Sequence, residues 1–349
     1  MTAFERMHEL GHEEVVLFQD RASGLRAVAA VHDTTLGPAV GGTRMRLYPR
    51  FDDAVVDALR LSRAMTAKSA LAEMPYGGGK AVIFGDPRRD KTEALLEAYA
   101  RALDRMGGRF RTGADMGIDG RDVAFMARFS PHVSHTAETA AVDTADLAAL
   151  GVAEAIRGTA EVLGLPLRGL RVAVQGLGNV GGRLARRLAA EGAALTVADV
   201  DAERAARAGR ELGARVVEPA LVYDAEADVF SPNAGTGILD DDTVARLRCR
   251  AVVGGANEQL AEPRHGDALF ARGILYAPDY VANAGGLLSL LFETGQTDEA
   301  GVTEAVRRIG PRVRGLLERA RGEGLAPHRL ADRLVEERLD AARASRRGA

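Results

Sequence analysis

Residues 171–181 read RVAVQGLGNVG, a short apolar strand that runs directly into a glycine-rich turn. Apolar residues recur at helical spacing after the turn, so the turn opens a helix. In such a unit the first glycine allows a tight turn, the second lets a pyrophosphate approach the backbone, and the third permits close helix packing. The stretch therefore predicts a dinucleotide-binding turn of the Rossmann type. Its residues are Gly176, Leu177, Gly178, Asn179, Val180 and Gly181.

An acidic residue stands where a domain of this type selects its cofactor. Asp199 ends the next apolar run, 18 residues after Gly181. A carboxylate there accepts hydrogen bonds from the ribose hydroxyls of NAD and repels the additional phosphate of NADP, so we expect NAD. Asp201 is a second acid available for the same role. The alternative for the whole stretch is a glycine turn in an α/β domain that binds no ligand.

The chain around this turn divides into two parts of different pattern. Residues 141–320 alternate short apolar runs with helical stretches, which is the βαβ rhythm of a parallel, doubly wound sheet. Residues 1–140 mix strand-like and helical patterns, which predicts a separate α/β domain. We expect a cleft between the two domains, and helices at 321–349 that pack back on the first domain.

Composition excludes several classes of protein. The 349 residues exceed one domain of roughly 150 residues, and 46% of them are hydrophobic, enough for two cores. The formal net charge of −3 is too balanced for a protein that binds nucleic acid or anionic membranes. No apolar run reaches about 18 residues and the N-terminus is charged, so we expect a soluble, cytoplasmic protein. The single cysteine, Cys249, excludes an internal disulfide and a cysteine-based metal cage.

Lysine is rare in this chain, which contains 43 arginines but only Lys68, Lys80 and Lys91. Arginine keeps its proton in proteins, whereas the pKa of a lysine falls when its amine is buried or crowded by other cations. A lysine in so arginine-rich a chain is therefore a candidate for amine chemistry. Leftover surface lysines are the alternative.

Two of these lysines and one acid form a candidate catalytic group. Lys68 lies near the end of a predicted helix, Lys80 follows three glycines, and Asp115 lies in a loop after a short strand. We expect the glycines to let a ligand approach the backbone beside Lys80. Two ammonium groups brought together disfavour each other's charged form, so one would act as a base while the other binds a carboxylate. Asp115 would then exchange a proton with an amino group.

The residues His8, Glu9 and His12 match the HExxH pattern of zinc proteases, in which two imidazoles share one helix face. Such a helix normally lies deep in a domain and needs a third ligand downstream. This motif begins at residue 8, the typical third position is not filled, and a strand pattern follows directly. We therefore expect no metal site here.

Several longer stretches resemble the amino-acid dehydrogenases, specifically the branch of leucine, valine, phenylalanine and tryptophan dehydrogenases. The resemblance covers nearly the whole chain. The matching stretches are HDTTLGPAVGGTRM, RLSRAMTAKSALA, MPYGGGKAVIFGDP, TGADMG, VAVQGLGNVG, GGANEQL and YAPDYVANAGG.

This resemblance implies roles for particular residues. Lys68 would bind the substrate carboxylate, Lys80 would be the catalytic base, and Asp115 would be its proton-transfer partner. Asn257 would lie near the nicotinamide ribose, with the cofactor across the cleft from the substrate. The first domain would bind substrate and build a homo-oligomer, either a dimer or an octamer.

The implied activity is the reversible, NAD-dependent oxidative deamination of an apolar L-amino acid, branched-chain or aromatic, to the 2-oxo acid and ammonia. One alternative is a weakened or specialised member, either an NAD-binding sensor or scaffold or a biosynthetic variant for an unusual amino acid. A 2-hydroxy-acid dehydrogenase would share the glycine turn but needs a His/Arg pair, and nothing resembling one flanks these motifs.

Five residues bear on the choice of substrate. Glutamate dehydrogenases of the wider superfamily carry a lysine just before the glycine pair, whereas this chain has Val40 before Gly41 and Gly42. An apolar residue there should reject an acidic side chain, because burying an unpaired carboxylate is costly. The resemblance also places Gly113 and Val281 at the pocket, and glycine leaves space for an aromatic ring. Core packing of Val40 is the alternative.

Three positions depart from the family pattern. Ala148 stands where relatives usually carry a threonine, Asn233 replaces a common cysteine, and Glu258 replaces a second asparagine after Asn257. Each change is expected to alter contacts on the nicotinamide side.

Overall fold

The computed structural model describes residues 3–133 and 142–347. The chain forms two compact units: the first unit is Met1–Ala141 with Val335–Ala349, and the second unit is Val142–Leu334. The division after residue 141 lies one residue beyond the boundary predicted from the sequence. The C-terminal residues divide differently from the expectation, because 321–334 belong to the second unit and only the residues after them belong to the first.

Contacts made by the C-terminal segment explain this division. Arg329 forms an ion pair with Asp267 of the second unit at 2.5 Å. Further along the chain, Val335 and Leu339 pack with Ala70 of the first unit. These contacts attach the earlier part of the segment to the second unit and the later part to the first unit. Only the later part therefore packs on the first unit.

The first unit is built on a mixed sheet. Its elements are α1 Ala3–Leu10, β1 Glu14–Asp20, β2 Leu25–Asp33, β3 Ala39–Arg46, α2 Phe51–Leu71, β4 Gly77–Phe84, α3 Glu93–Asp104, β5 Phe110–Gly113 and α4 Gly120–Met126. The described strands have the order β1-β2-β4-β3-β5. Strand β4 lies in the middle, antiparallel to β2 and parallel to β3. This position buries β4 between neighbouring strands on both sides.

The two faces of this sheet carry different side chains, because successive residues of a strand point to opposite faces. On one face, Ala81 and Ile83 of β4 pack in a core with Tyr99 of α3. On the other face, Val82 of β4 packs in a core with Leu59 of α2. Residues 78 and 80 share the parity of Val82, so they lie on the face covered by α2.

The second unit is built on a parallel sheet. Its elements are α5 Thr144–Leu163, β6 Arg171–Gln175, α6 Asn179–Ala190, β7 Ala194–Ala198, α7 Ala202–Leu212, β8 Arg215–Val216, β9 Val229–Pro232, α8 Asp241–Arg246, β10 Ala251–Val252, α9 Pro263–Ala271, β11 Leu275–Tyr276, α10 Asp279–Ala282, α11 Gly285–Glu293, α12 Glu299–Arg307, α13 Ile309–Glu323 and α14 Pro327–Arg347, whose last residues belong to the first unit. The order of the described strands is β11-β10-β9-β6-β7-β8, and all of their pairings are parallel. This confirms the predicted doubly wound sheet.

Strand β6 lies at the point where the strand order of this sheet reverses, between β7 and β9. Connections leave a crevice beyond the carboxyl ends of the strands at such a point. The glycine turn after β6 therefore stands where parallel α/β sheets bind ligands. No helix within 3–133 or 142–347 is both long and apolar enough to cross a membrane.

The HExxH motif does not form one helical face. Helix α1 ends at Leu10, and Gly11 turns the chain with a φ of 78°. His8 remains exposed on α1, whereas the Nε2 atom of His12 lies 2.8 Å from Ser62 Oγ on α2. In the described parts of the chain, no group of three or more His, Cys, Asp or Glu side chains is arranged to hold a metal ion.

His12 instead belongs to a pair of packed imidazoles. Its ring contacts the ring of His32 edge to face, with 4.8 Å between centroids. His32 Nδ1 lies 2.8 Å from Thr66 Oγ1, so the pair attaches α2 to strand β2. Burial, and secondarily the neighbouring His32, lower the pKa of His12 to about 4, and burial also lowers the pKa of His32.

We predict that this pair makes the protein sensitive to acid. Both rings are neutral in the folded chain near neutral pH but bind protons in the unfolded chain below about pH 6.5. The contribution of the neutral rings to the free energy of unfolding is therefore complete above about pH 6.5 and is lost as the pH falls towards 4. His12→Gln should flatten the pH dependence of the free energy of unfolding, by up to about 1.4 kcal/mol per pH unit for one proton.

Urea unfolding curves at several pH values between neutral and the pKa of His12 measure this slope. His8→Gln is the control, because His8 is exposed and should leave the slope as in the parent chain. A parental slope in His12→Gln would contradict the prediction.

Candidate active site

Helix α2 approaches strand β4 unusually closely, and glycine makes this possible. A Cβ on Gly78 would lie 2.1 Å from the backbone nitrogen of Thr66 and 2.4 Å from the carbonyl oxygen of Ser62, both on α2. A Cβ on Gly79 would lie 2.4 Å from the ring of Phe110. The expectation that these glycines leave room for a ligand is therefore wrong at these two positions. They let a helix and a core ring pack directly on the strand.

Lys80 follows these glycines on the face that α2 covers, and its residue is only 7% exposed. Its Nζ forms an ion pair with Asp115 Oδ2. Asp115 is fixed by a tight turn in which Ile118 N donates to Asp115 O at 2.9 Å. The structure thus brings two of the predicted site residues into direct contact. The charged group in contact with Lys80 is a carboxylate.

Lys68, the other lysine of the candidate group, lies half-buried in the last turn of α2. Its carbonyl oxygen accepts a hydrogen bond from Ala72 N at 2.9 Å, which closes the helix. Helix α2 thus carries Lys68 on the same first unit that holds Lys80 and Asp115.

The Asp115 carboxylate remains ionised despite its burial. Burial raises its pKa, but the charges of Lys80 and Arg44 outweigh this effect and leave the pKa below its usual value. Arg44 Nε lies 3.3 Å from the same Oδ2 atom that Lys80 contacts. The contact thus places the amine nitrogen of Lys80 beside an ionised carboxylate, two groups that can exchange a proton.

The sequence interpretation missed a set of polar residues behind Asp115. Arg44 Nη1 donates to Asp57 Oδ2 at 2.9 Å, and the Tyr48 hydroxyl donates to the same oxygen at 2.6 Å. Arg60 Nη2 donates to Asp57 Oδ1 at 2.9 Å. Because the chain contains 43 arginines, an arginine at position 44 does not by itself indicate a functional residue. Only the pairing of β3 with β4, which the sequence does not reveal, places it beside Lys80.

The residues predicted to choose the substrate lie on two neighbouring strands. In the pairing of β3 with β5, Gly42 faces Gly113. No described atom lies within 4 Å of the position that a Cβ on Gly113 would take, so space is open there. Val40 is buried on β3, two residues before Gly42. Val281 lies in helix α10 of the second unit.

Hydroxyl groups support the glycine pair from the opposite face of the sheet. Thr112 Oγ1 donates to the carbonyl oxygen of Gly41 at 2.9 Å. Thr43 Oγ1 lies 2.7 Å from Thr112 Oγ1 and 2.6 Å from the hydroxyl of Tyr99. All three hydroxyl-bearing residues are buried, so the backbone beside the predicted pocket is held rigidly.

The glycine turn of the second unit has the shape that a dinucleotide requires. Gly176 has a φ of 87°, which a side chain would strain, and a Cβ on Gly181 would lie 2.0 Å from the Gly176 carbonyl oxygen. Near Gly178, by contrast, no described atom lies within 4 Å of the Cβ position. Gly178 stands at the start of helix α6, whose N-terminal amides favour an anion. The residues present therefore fit a bound pyrophosphate.

The two candidate acids of this unit have different environments. Asp199 follows β7 directly, and its Oδ2 accepts a hydrogen bond from Leu177 N of the glycine turn at 2.6 Å. Asp201 is the N-cap of α7 and accepts from Glu203 N and Arg204 N. The capping role of Asp201 leaves Asp199 as the carboxylate attached to the glycine turn.

The loops after β9 and β10 contain two of the departures from the family pattern. Asn233 Oδ1 accepts from Gly255 N at 3.0 Å and its Nδ2 donates to Ser231 O at 2.9 Å, so this residue connects the two loops. Glu258 has a positive φ of 53°, and its backbone nitrogen donates to Asp279 Oδ2 at 2.8 Å. The side chain of Asn233 therefore has a local structural role, whereas the contact of Glu258 is made by its backbone.

The remaining residues of the predicted nicotinamide side also lie in the second unit. Asn257 is exposed, and its Oδ1 accepts from Asn283 Nδ2 at 2.9 Å. Ala148 lies on α5, where a Cβ on Gly286 would be 3.7 Å from its side chain. Helix α11 therefore begins directly against the residue that replaces the expected threonine.

Two family models match the chain. The model described as the Glu/Leu/Phe/Val dehydrogenase dimerisation domain matches residues 12–132. The model described as Glutamate/Leucine/Phenylalanine/Valine dehydrogenase matches residues 196–309. The first match includes Lys80 and Asp115, and the second includes Asp199 and Asn257. Residues 176–181 of the glycine turn precede the second match.

Individual relatives match over nearly the full chain. A leucine dehydrogenase of Geobacillus stearothermophilus is 40% identical and covers 99% of this chain and 95% of its own. A phenylalanine dehydrogenase of Thermoactinomyces intermedius is 41% identical, over 96% of this chain and 93% of its own. The crystal structure of L-tryptophan dehydrogenase from Nostoc punctiforme superposes with a TM-score of 0.85 at 40% identity, over 98% of this chain and 99% of that one. The resemblance found in the sequence motifs is confirmed.

We predict that Gly78→Ala destabilises the first unit. The added methyl group would overlap backbone atoms of α2, so the helix has to move away from β4. The free energy of unfolding should fall by at least about 2 kcal/mol, as for other overpacked cores. Gly315→Ala is the matched control, because no described atom lies near its Cβ position in α13 and alanine favours a helix.

Urea unfolding of both variants tests this prediction. Gly315→Ala should be at least as stable as the parent chain. A Gly78→Ala variant with parental stability would contradict the close approach of α2 to β4.

Proposed function

We propose, since this chain belongs to the Glu/Leu/Phe/Val dehydrogenase family, that it catalyses the reversible oxidative deamination of an apolar L-amino acid to the 2-oxo acid and ammonia. It is thus an oxidoreductase that acts on CH–NH2 donors. The observation that carries the proposal is the buried ion pair of Lys80 and Asp115 beside the open glycine position 113. Proton transfer at an amine is the chemistry that such a pair supports.

In the proposed reaction, Lys68 holds the substrate carboxylate by charge. A bound nicotinamide supplies the acceptor for the hydride that leaves the substrate α-carbon. Lys80, in its amine form, then takes a proton from water while the water oxygen bonds to the α-carbon of the resulting iminium. Asp115 then accepts the proton of the newly added hydroxyl group and passes it to the nitrogen, so that the C=O bond forms as the C–N bond breaks and ammonia departs.

We further propose NAD as the cofactor, since family members use nicotinamide cofactors. Gly178 offers open backbone for the pyrophosphate, and Asn179 begins the helix that follows. Asp199, attached to Leu177 N, presents a carboxylate beside this turn. A carboxylate at this place accepts from ribose hydroxyls and repels a 2′-phosphate. Asn257 would contact the nicotinamide ribose.

The proposed substrates have apolar side chains. Val40 is 3% exposed and presents no charge to a second carboxylate of the substrate. The open space at Gly113 favours a bulky side chain. Val281 is proposed as a further apolar contact. The named relatives include leucine, phenylalanine and tryptophan dehydrogenases, which all act on apolar amino acids.

We also propose that the chain forms a homo-oligomer through its first unit. The matching family model is described as a dimerisation domain. Strand β1 lies at an edge of the described sheet and exposes 62% of Leu17. Sedimentation equilibrium distinguishes a dimer from an octamer by mass.

Lys80→Met is predicted to abolish most of the activity. Formation of the reduced cofactor, NADH from NAD and NADPH from NADP, is followed over a panel of the twenty common amino acids. The parent chain should oxidise apolar amino acids with NAD, and faster at alkaline pH because the substrate amine and Lys80 must both be neutral. Loss of the base should lower kcat by about 100-fold or more.

Arg101→Met is the control, because Arg101 is an exposed residue of α3 that pairs with Glu97 at 2.9 Å, away from Asp115 and its turn. It should retain parental kcat. Unchanged turnover in Lys80→Met would refute the proposed role. A parent chain that binds NAD but reduces none of it would indicate the sensor alternative.

Gly113→Ala is predicted to shift specificity towards smaller side chains. The added methyl group fills space that is open in the parent chain. The ratio of kcat/KM for phenylalanine to that for valine should fall about tenfold, the effect of one methyl-sized change in a pocket. Steady-state kinetics with both substrates measure the ratio, and parental kcat/KM for valine is the internal control. An unchanged ratio would place the side-chain pocket elsewhere.

A further inference from the structure

The Asp115 carboxylate contacts two cations of different chemistry. Lys80 Nζ and Arg44 Nε both approach Oδ2, the latter at 3.3 Å. A lysine amine gains and loses a proton, whereas arginine remains charged throughout the accessible pH range. One partner of Asp115 therefore changes charge during the proposed reaction and the other does not.

Arg44 is itself held in a fixed orientation. Its side chain is 10% exposed, and its Nη1 donates to Asp57 Oδ2 at 2.9 Å. Asp57 also accepts from Tyr48 and Arg60, through Oδ2 and Oδ1 respectively. These contacts attach Arg44, a residue of β3, to helix α2. Its guanidinium cannot swing away from Asp115 without breaking the buried ion pair with Asp57, which is costly.

The surroundings of Asp115 show why a permanent cation matters there. The charged groups that form ion pairs with Asp115 in the described elements are Lys80 on β4 and Arg44 on β3, and their charges act on its carboxylate most strongly. Asp57, Arg60 and Tyr48 lie behind Arg44. If Lys80 becomes neutral, a buried carboxylate without another cation takes up a proton in preference to remaining charged. The proton would then stay on Asp115 and be lost to the reaction.

We propose that Arg44 is a positioning residue of the proposed reaction, which orients the Asp115 carboxylate against Lys80 and keeps it ionised while Lys80 is in its amine form. This inference rests on the proposed function. Asp115 then carries a proton only briefly, as ammonia departs. Arg44 touches neither substrate nor cofactor in this role and acts through Asp115 alone.

The test compares Arg44→Met with Arg44→Lys and with the control Arg101→Met. Arg101 is an exposed arginine of α3 that pairs with Glu97 at 2.9 Å, away from this network. In Arg44→Met, kcat should fall about 100-fold, with KM for NAD unchanged. The acidic limb of the pH profile of kcat should move to higher pH, because Lys80 and Asp115 both hold a proton more tightly once the neighbouring guanidinium is removed. Arg44→Lys should restore part of that shift, and Arg101→Met should match the parent chain.

A folded Arg44→Met variant with the parental kcat and acidic limb would overturn the inference. If Arg44→Met does not fold, as judged by its thermal unfolding curve, Arg44→Gln provides the second variant. It removes the positive charge but keeps a side chain that can donate to Asp57 and Asp115, so a shift in the same direction is expected, and no shift would overturn the inference.

An infrared titration separates this inference from the proposed function, because it needs no turnover. The difference spectrum between each chain and its Asp115→Asn counterpart isolates the carboxyl band of Asp115. Without Arg44 the protonated band should appear at higher pH, and an identical titration would overturn the inference. If the parent chain oxidises no amino acid but Arg44→Met still titrates at higher pH than the parent, the proposed function alone is refuted.

Discussion

Charged side chains buried between helix α2 and the sheet of the first unit impose the main constraint on this structure. A buried charge is tolerated only when it is paired and hydrogen-bonded, and removing one partner is costly. Lys80, Asp115, Arg44 and Asp57 satisfy this requirement among themselves. The pair of Arg44 with Asp57 joins β3 to helix α2, so it requires the helix to lie close to the strands, which in turn requires a glycine at residue 78. Packing and chemistry thus depend on the same few contacts.

The nucleotide side was the part most accessible from sequence. The strand, the turn and the helix are consecutive in residues 171–190, so local spacing alone predicts their arrangement. The structure gives Gly176 its positive φ and Gly181 its close approach. The sequence alone did not distinguish Asp199 from Asp201 as the acid beside the glycine turn, because capping of α7 by Asp201 depends on where that helix begins.

The substrate side was only partly accessible, because it depends on which strands are neighbours. The family resemblance selected Lys80 and Asp115, and the structure pairs them. The glycines at 78 and 79 were misinterpreted, since a sequence does not show whether a ligand or another part of the chain fills the space beside a glycine. Arg44 was missed for a related reason: β3 pairs with β4 across a 21-residue helix, and no local pattern encodes that contact.

The central claim is that Lys80 and Asp115 act as one proton-transfer unit, and a double-mutant cycle tests it most directly. The kcat/KM for reductive amination is measured for the parent chain, Lys80→Met, Asp115→Asn and the double variant. Residues that act as a unit are strongly non-additive, so the double variant should be no slower than the slower single variant. Losses that multiply, so that the double variant falls by the product of the two single effects, would contradict the account.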